Sequence, residues 1–400
     1  IQDQIGNTPL LFASKNGYLD NVKYLVSNGA NIDHRNKKGY TALLLASYHG
    51  HLEIVKYLIS KGANINLQNN IGNTALIMST HIGHLEIVKQ LVSKGASLDH
   101  RNIKNCSALT LATNSNKEKS LEIVKLLLEN RYVMKIPKKC FLNACKSGNI
   151  DILKYLLEQM KRRSLRSPQD MRNLMNHLAI SARYEKTVQY ILKEGVDIHN
   201  DIDREGNTLL MLSVNDALKF KLLHKNGSDI TKRNRLGNTP LILAAKSGNL
   251  EIVEYLVSKK VNVNHLNLNG ENAVFMASKY GHLEVAKYLN SANVSLYQES
   301  IQGFTPIMIA SSQGHLKIVD YLFMQGVYCD NNNAHKDTPL LIASKYGNFE
   351  IVEYLLKAGA NINHPNLDNE TALLAAAANG QTRCFFKNSF PCVSKPMISL

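Results

Sequence analysis

The sequence predicts an all-α solenoid in which each unit is a helix-turn-helix with a projecting hairpin loop. Three observations predict it. Glycines recur in register at a 33-residue offset, as at Gly6, Gly39 and Gly72 and again at Gly237, Gly270 and Gly303. Each is followed by a variant of one short phrase, and a second glycine then introduces apolar residues at helical spacing. About eleven full units and one half unit fit the chain.

The first helix opens on that phrase: Thr8-Pro9-Leu10, Thr41-Ala42-Leu43, Thr74-Ala75-Leu76, Thr208-Leu209-Leu210, Thr239-Pro240-Leu241, Thr305-Pro306-Ile307, Thr338-Pro339-Leu340 and Thr371-Ala372-Leu373. A threonine hydroxyl caps the helix, and proline at the first helical position gives up an N–H that would lack a partner anyway. A small residue five places on, such as Ala13, Ala46 or Ala244, lets neighbouring helices approach. Gly17, Gly50, Gly83, Gly248, Gly281, Gly314 and Gly347 supply the left-handed conformation that ends the first helix. The second helix follows at once, as in Leu52-Glu53-Ile54-Val55-Lys56-Tyr57-Leu58-Ile59, with one apolar face and a glutamate near its positive end. Beyond its closing glycine come Ala-Asn-Ile and then Asn36, Asn69, Asn102, Asn234, Asn267 or Asn366, residues suited to a hairpin-like turn.

Composition excludes several classes. With 44% hydrophobic and 20% charged residues the chain is a folded protein. Its formal charge of +15 comes from 47 Lys and Arg against 32 acids, mainly a shortage of acids, so it is weak evidence for a phosphate-bearing partner. The excess is partly local: residues 131–172 hold eleven Lys or Arg against three acids. The six cysteines lack metal or disulfide spacing and read as reduced thiols of an intracellular, cytoplasmic protein. No apolar run spans a bilayer, no signal-peptide pattern opens the chain, and a start on Ile1 rather than Met is expected of a fragment or internal segment.

These motifs resemble the ankyrin repeat family, over residues 6–380 with gaps. Gly-x-Thr-Pro-Leu, Gly-His-Leu-Glu-Ile-Val-Lys and Gly-Ala-Asn-Ile carry the resemblance. The family often has His after Thr-Pro-Leu; here stand Leu11, Leu44, Ile77, Ile242, Met308 and Leu341, which predicts apolar contact in place of a polar tie. The pattern weakens in the middle. Repeat four carries extra residues around Lys117–Lys119, repeat five lacks the threonine phrase, repeat seven is short, and Lys161–Pro168 reads as an exposed linker. The expected organisation is therefore repeats one to four over 1–136, a degenerate stretch over 137–205, repeats seven to twelve over 206–380 and an irregular tail over 381–400.

No residues group as a catalytic, cofactor or metal site. The four histidines of one slot, His51, His84, His282 and His315, lie too far apart for one ion and are expected as polar caps at the second-helix entrance, with Asn249 and Asn348. No phosphate-loop, dinucleotide or nucleophile-elbow motif occurs. The informative residues are those that vary. In the resembled family the two positions before the glycine that ends the first helix, with the hairpin tips, line a concave groove that grips partners. Carried over, they are Lys15, Tyr48, His49, His81, Ile82, Lys246, Lys279, Tyr280, Lys345 and Tyr346, with tip residues Arg35, Lys37, Arg101 and Arg233. The expected function is a non-catalytic scaffold for partner proteins, favouring an extended or acidic segment. Two alternatives stand beside it: binding of nucleic acid or anionic membrane through Lys161, Arg162, Arg163 and Arg166, and service as the targeting arm of a larger enzyme.

Overall fold

A threonine starts most first helices. Thr41, in extended conformation, accepts the Leu44 N–H on its hydroxyl at 3.2 Å, and helix Ala42–His49 follows. Thr8, Thr74, Thr208, Thr239, Thr338 and Thr371 cap in the same way. Ser107 and Thr110 cap reciprocally in repeat four, and Asn272 replaces the threonine in repeat nine. The computed structural model describes residues 2–130, 136–162, 167–200, 202–327 and 332–384. Among these, the sequence forms eleven helix pairs and a twelfth first helix, Ala372–Ala378, after which residues 382–384 are again helical.

The chain divides into two compact units, Ile1–Val196 and Asp197–Leu400, the first holding repeats one to six and the second repeats seven to twelve. The division falls inside the stretch that the sequence marks as degenerate. Within each unit the core lies between paired helices and between consecutive repeats. Leu11, Leu44 and Ile77 in the first unit, and Ile242, Met308 and Leu341 in the second, are each at most 2% exposed. Met308 and Leu341, one repeat apart, share a cluster with Ile342 and Ala375, so apolar contact does replace the polar tie. Each such side chain contributes roughly 1.5–3 kcal/mol relative to leaving it in water.

The slot histidines correct the capping expectation. None of His51, His84, His282 and His315 bonds the start of its own helix. Instead Nε2 reaches back one repeat, to the carbonyls of Lys15, Tyr48, Lys246 and Lys279 at 2.9–3.2 Å. Each ring lies over the glycine that ends the preceding first helix. A Cβ on Gly50 would stand 2.7 Å from the His84 ring, and Gly50 is already at φ 88°. Glycine and histidine are therefore two halves of one joint. Asn249 does cap its helix, whereas Asn348 donates to the carbonyls of Ser311 and Ser312 in the preceding repeat. The extra residues of repeat four deliver a lysine to the same place: Lys117 Nζ donates to the carbonyls of His81 and Ile82.

The hairpin turns form a second joint. Asn36 Oδ1 accepts from the N–H groups of Lys38 and Tyr40, while its Nδ2 donates to Asn7 Oδ1 in the preceding turn at 2.7 Å. Asn102 repeats this onto Asn73, and in the second unit Asn267 onto Asn238 and Asn366 onto Asp337. Main-chain bonds such as Ile103 N–H to Ile71 O, 3.2 Å, tie neighbouring tips.

The degenerate repeats differ in length rather than in kind. The second helix of repeat five, Ile150–Arg162, runs 13 residues, and the first helix of repeat six, Pro168–Ser181, runs 14; the first helix of repeat seven, Leu209–Leu212, has four. The ends of the expected Lys161–Pro168 linker belong to helices. Lys161 and Arg162 close one helix, and the Ser167 hydroxyl accepts from Asp170 N–H to open the next. Residues 163–166, hence Arg163 and Arg166, lie outside the described residues, as does the tail from 385.

Candidate partner-binding surface

A first helix of eight residues closed by a left-handed glycine sends its last two side chains away from the core. Lys15, Tyr48, His49, His81, Lys246, Tyr280, Lys345 and Tyr346 are all exposed, and Ile82 and Lys279 are half-buried. Arg35, Lys37, Arg101 and Arg233 are exposed on the hairpin turns. The repeated apolar positions of the helices are buried, whereas these variable positions are exposed or half-buried.

In the first unit, Tyr48 and His81 line a groove of about 320 Å³ between the first helices and hairpin turns of repeats two to four, with Ile71, Met78, Ile103, Lys104 and Leu111. Tyr48 meets His49 edge to face at 5.1 Å. Burial, and then the nearby His51, Lys15 and His84, push the His49 imidazole below its ordinary range, so it is held towards the neutral form. In the second unit, Lys246 and Tyr280 line a groove of about 390 Å³ with Met211, Leu212, Val214 and Leu243, and the Lys246 ammonium stands 5.5 Å from the Tyr280 ring centroid.

Other candidates are placed elsewhere. Lys279 Nζ lies 3.2 Å from the buried Glu271 carboxylate and 5.9 Å from the Phe275 ring, so it braces its own repeat. Arg35 donates to Gln68 O at 2.8 Å, and Arg101 to Asn105 Oδ1 at 3.2 Å, which fixes both along the turns. Arg233 lines a shallow hollow with Thr231 and His265. Lys345 and Tyr346 border neither groove. Of the alternative basic set, Lys161 pairs with Glu194 at 2.7 Å and Arg162 with Glu158 at 3.8 Å. Among the described residues no group of three or more His, Cys, Asp or Glu is placed to hold a metal ion, and no helix is long and apolar enough to cross a membrane.

Sequence reasoning missed the apolar tips. Ile71, Ile103, Leu236, Leu268, Ile301 and Leu367 occupy the two central turn positions and are 46–76% exposed. The signal was present: an aliphatic residue between Asn or Ser and the next left-handed residue, where polar residues are ordinary.

The charge is divided unequally. Residues 1–196 carry 28 Lys and Arg against 14 Asp and Glu, a net +14, whereas 197–384 carry 17 against 18.

The sequence matches a family model described as ankyrin repeats over residues 1–137 and 210–386, in overlapping segments. The skipped stretch, 138–209, contains repeats five and six and the start of repeat seven. Curated relatives are similar over shorter spans. An alpha-latroinsectotoxin of Latrodectus tredecimguttatus is 32% identical over 101 residues, 24% of this chain and 7% of the toxin. An ankyrin repeat protein of fowlpox virus (strain NVSL) is 35% identical over 103 residues, 25% of this chain and 30% of that protein. An alpha-latrotoxin of Latrodectus geometricus is 32% identical over 85 residues, 20% of this chain and 6% of the toxin. The chain thus covers under a third of each of these relatives.

Proposed function

Because the chain belongs to the ankyrin repeat family, whose repeats generally mediate protein–protein interaction, we propose that it is a non-catalytic, cytoplasmic scaffold that holds partner proteins on its first-helix ends and hairpin tips. The observation that supports this reading is the division of labour within each repeat. Capping threonines, joint glycines and ladder asparagines are committed to the array, while Tyr48, His81, Lys246 and Tyr280 are exposed around grooves. Aromatic and long cationic side chains around a concavity are the composition that partner interfaces favour. The described cysteines are unbonded to one another, in keeping with a reducing compartment. The polyanion reading has less support, since Lys161 and Arg162 are already paired with carboxylates.

Affinity capture with mass spectrometry, followed by pairwise titration, tests the proposal. Tyr280→Ala with Lys246→Ala should leave circular dichroism and melting unchanged and weaken a captured partner by about 2 kcal/mol or more if Tyr280 is a hot spot. Unchanged affinity in this variant and in Tyr48→Ala with His81→Ala would refute it.

A further inference from the structure

The first unit's groove combines an apolar floor with a basic edge. Its floor and walls include Tyr48, Ile71, Met78, Ile103 and Leu111. Ile103 is 71% exposed, and Tyr48 and Ile71 are 41% and 46% exposed. Scattered exposed aliphatics are ordinary, but several converging on one concavity mark an interaction site. No acidic side chain lines it. Lys104 does, and Lys139 Nζ stands 3.5 Å from the sulfur of Cys106, itself part of the lining. Lys38 lies on the flanking turn, where its carbonyl accepts from Asn70, the neighbour of Ile71.

The ion pairs sharpen the contrast. Lys23, Lys56, Lys89 and Lys154 each pair with the acid three residues earlier on a second helix. Among the described residues, Lys38, Lys104 and Lys139 have no carboxylate within 4 Å. The unit's charge is thus cancelled in part on its second helices and left uncancelled beside the groove. Long-range attraction from the net +14 adds to this local field.

We propose that the groove of repeats two to four binds an acidic protein segment in extended form, one aliphatic or aromatic side chain seated among Ile71, Met78, Ile103 and Leu111 and carboxylates facing Lys38, Lys104 and Lys139. This rests on the protein-binding reading and narrows it to one partner chemistry. About 320 Å³ admits one anchor side chain with its adjoining backbone. A nucleic acid is the poorer match, because base stacking needs successive aromatic faces and here the aromatic Tyr40, Tyr48 and His81 are outnumbered by Ile71, Ile77, Met78, Ile103 and Leu111.

Fluorescence polarisation with the full chain tests it. The probe is a labelled peptide of about twelve residues, long enough when extended to cross three repeats, with a central Leu between runs of Asp and Glu. Replacing the Leu by Ser, or the acids by Gln, should each weaken binding by about tenfold or more, and raising salt should weaken the acidic peptide alone. The double substitution Lys104→Glu with Lys139→Glu should produce a similar loss, and Ile103→Ser, at an exposed turn, gives a second test should the charge reversal disturb folding. Equal binding of all peptides, or undiminished affinity in both folded variants, overturns the proposal. Tighter binding of a single-stranded RNA of equal length overturns it in favour of a polyanion site. A chain that keeps a Tyr280-dependent partner but ignores the acidic peptide sinks this inference while leaving the scaffold reading intact.

Discussion

The two units solve the same packing problem with different charge. The position before the capping residue is Asn7, Tyr40, Asn73 and Cys106 in the first four repeats, none of them acidic, whereas the second unit has Asn207, Asn238 and Phe304 in three repeats and Glu271, Asp337 and Glu370 in the other three. Those acids join the asparagine ladder: Asn267 Nδ2 donates to Glu271 Oε2 at 2.8 Å, and Asn366 Nδ2 to Asp337 Oδ1 at 2.9 Å. Asn73 accepts from Asn102 in the same role without charge. The ladder needs an acceptor and is indifferent to its charge. The framework thus accepts either a neutral amide or a carboxylate at this position, and three of the second unit's acids stand there.

The joints that both units share should give the largest effects. Gly50→Ala would strain a residue at φ 88° and drive its Cβ into the His84 ring, whereas Gly62→Ala, at φ 87°, has no atom within 4 Å of the new Cβ. The left-handed penalty of roughly 1–2 kcal/mol applies to both, but only Gly50→Ala also loses the strut bond, worth about 1 kcal/mol. Denaturant melts should rank Gly50→Ala as the more destabilising; equal losses would mean that the histidine joint contributes nothing.

Caps come next. Thr338→Ala removes a hydroxyl that accepts from Leu341 N–H at 3.2 Å and should cost about 1 kcal/mol. Thr305 heads the corresponding helix one repeat earlier, yet its buried hydroxyl has no partner, so Thr305→Ala should be close to neutral. The difference between the two midpoints measures the cap itself.

The smallest stability effect belongs to Asn73→Asp, which keeps the acceptor for Asn102 and converts a first-unit ladder position to second-unit chemistry. Thermal melts should move by no more than the equivalent of about 0.5 kcal/mol, the range of ordinary surface changes. The acidic peptide should bind more weakly, because Asn73 lines the groove. A large stability loss would show that charge at the ladder matters to the fold and would break the comparison.

What could be read from sequence follows from what a repeat reveals. A 33-residue period with Thr at the start and Gly at the end of each first helix defines helix pairs because capping is local chemistry, settled within a few residues. Partners outside that range were not legible. The slot histidines reach a carbonyl 36 residues back, and Lys117 reaches 36 back to His81, so both looked like local caps or an insertion. Lys279 looked like a free contact residue because its partner Glu271 is eight residues earlier and buried beneath it. Lys161 and Arg162 read as linker because charge runs are usually solvated, yet Glu194, Glu158 and an amphipathic second helix hold them in helical form. The apolar turns were less legible because their aliphatic residue shifts between the two central turn positions, as at Ile71 and Ile103, and so shows no fixed register.

Photo-crosslinking to a captured partner tests the central claim most directly. A benzophenone side chain placed in turn at Tyr48, His81 and Tyr280, and at Lys89 on an exposed second-helix face, reports where the partner lies. Adducts at one or more of the first three positions and none at Lys89 are the predicted result. Adducts at Lys89 with none at the first-helix ends would place the partner on the opposite face of the repeats and contradict the account.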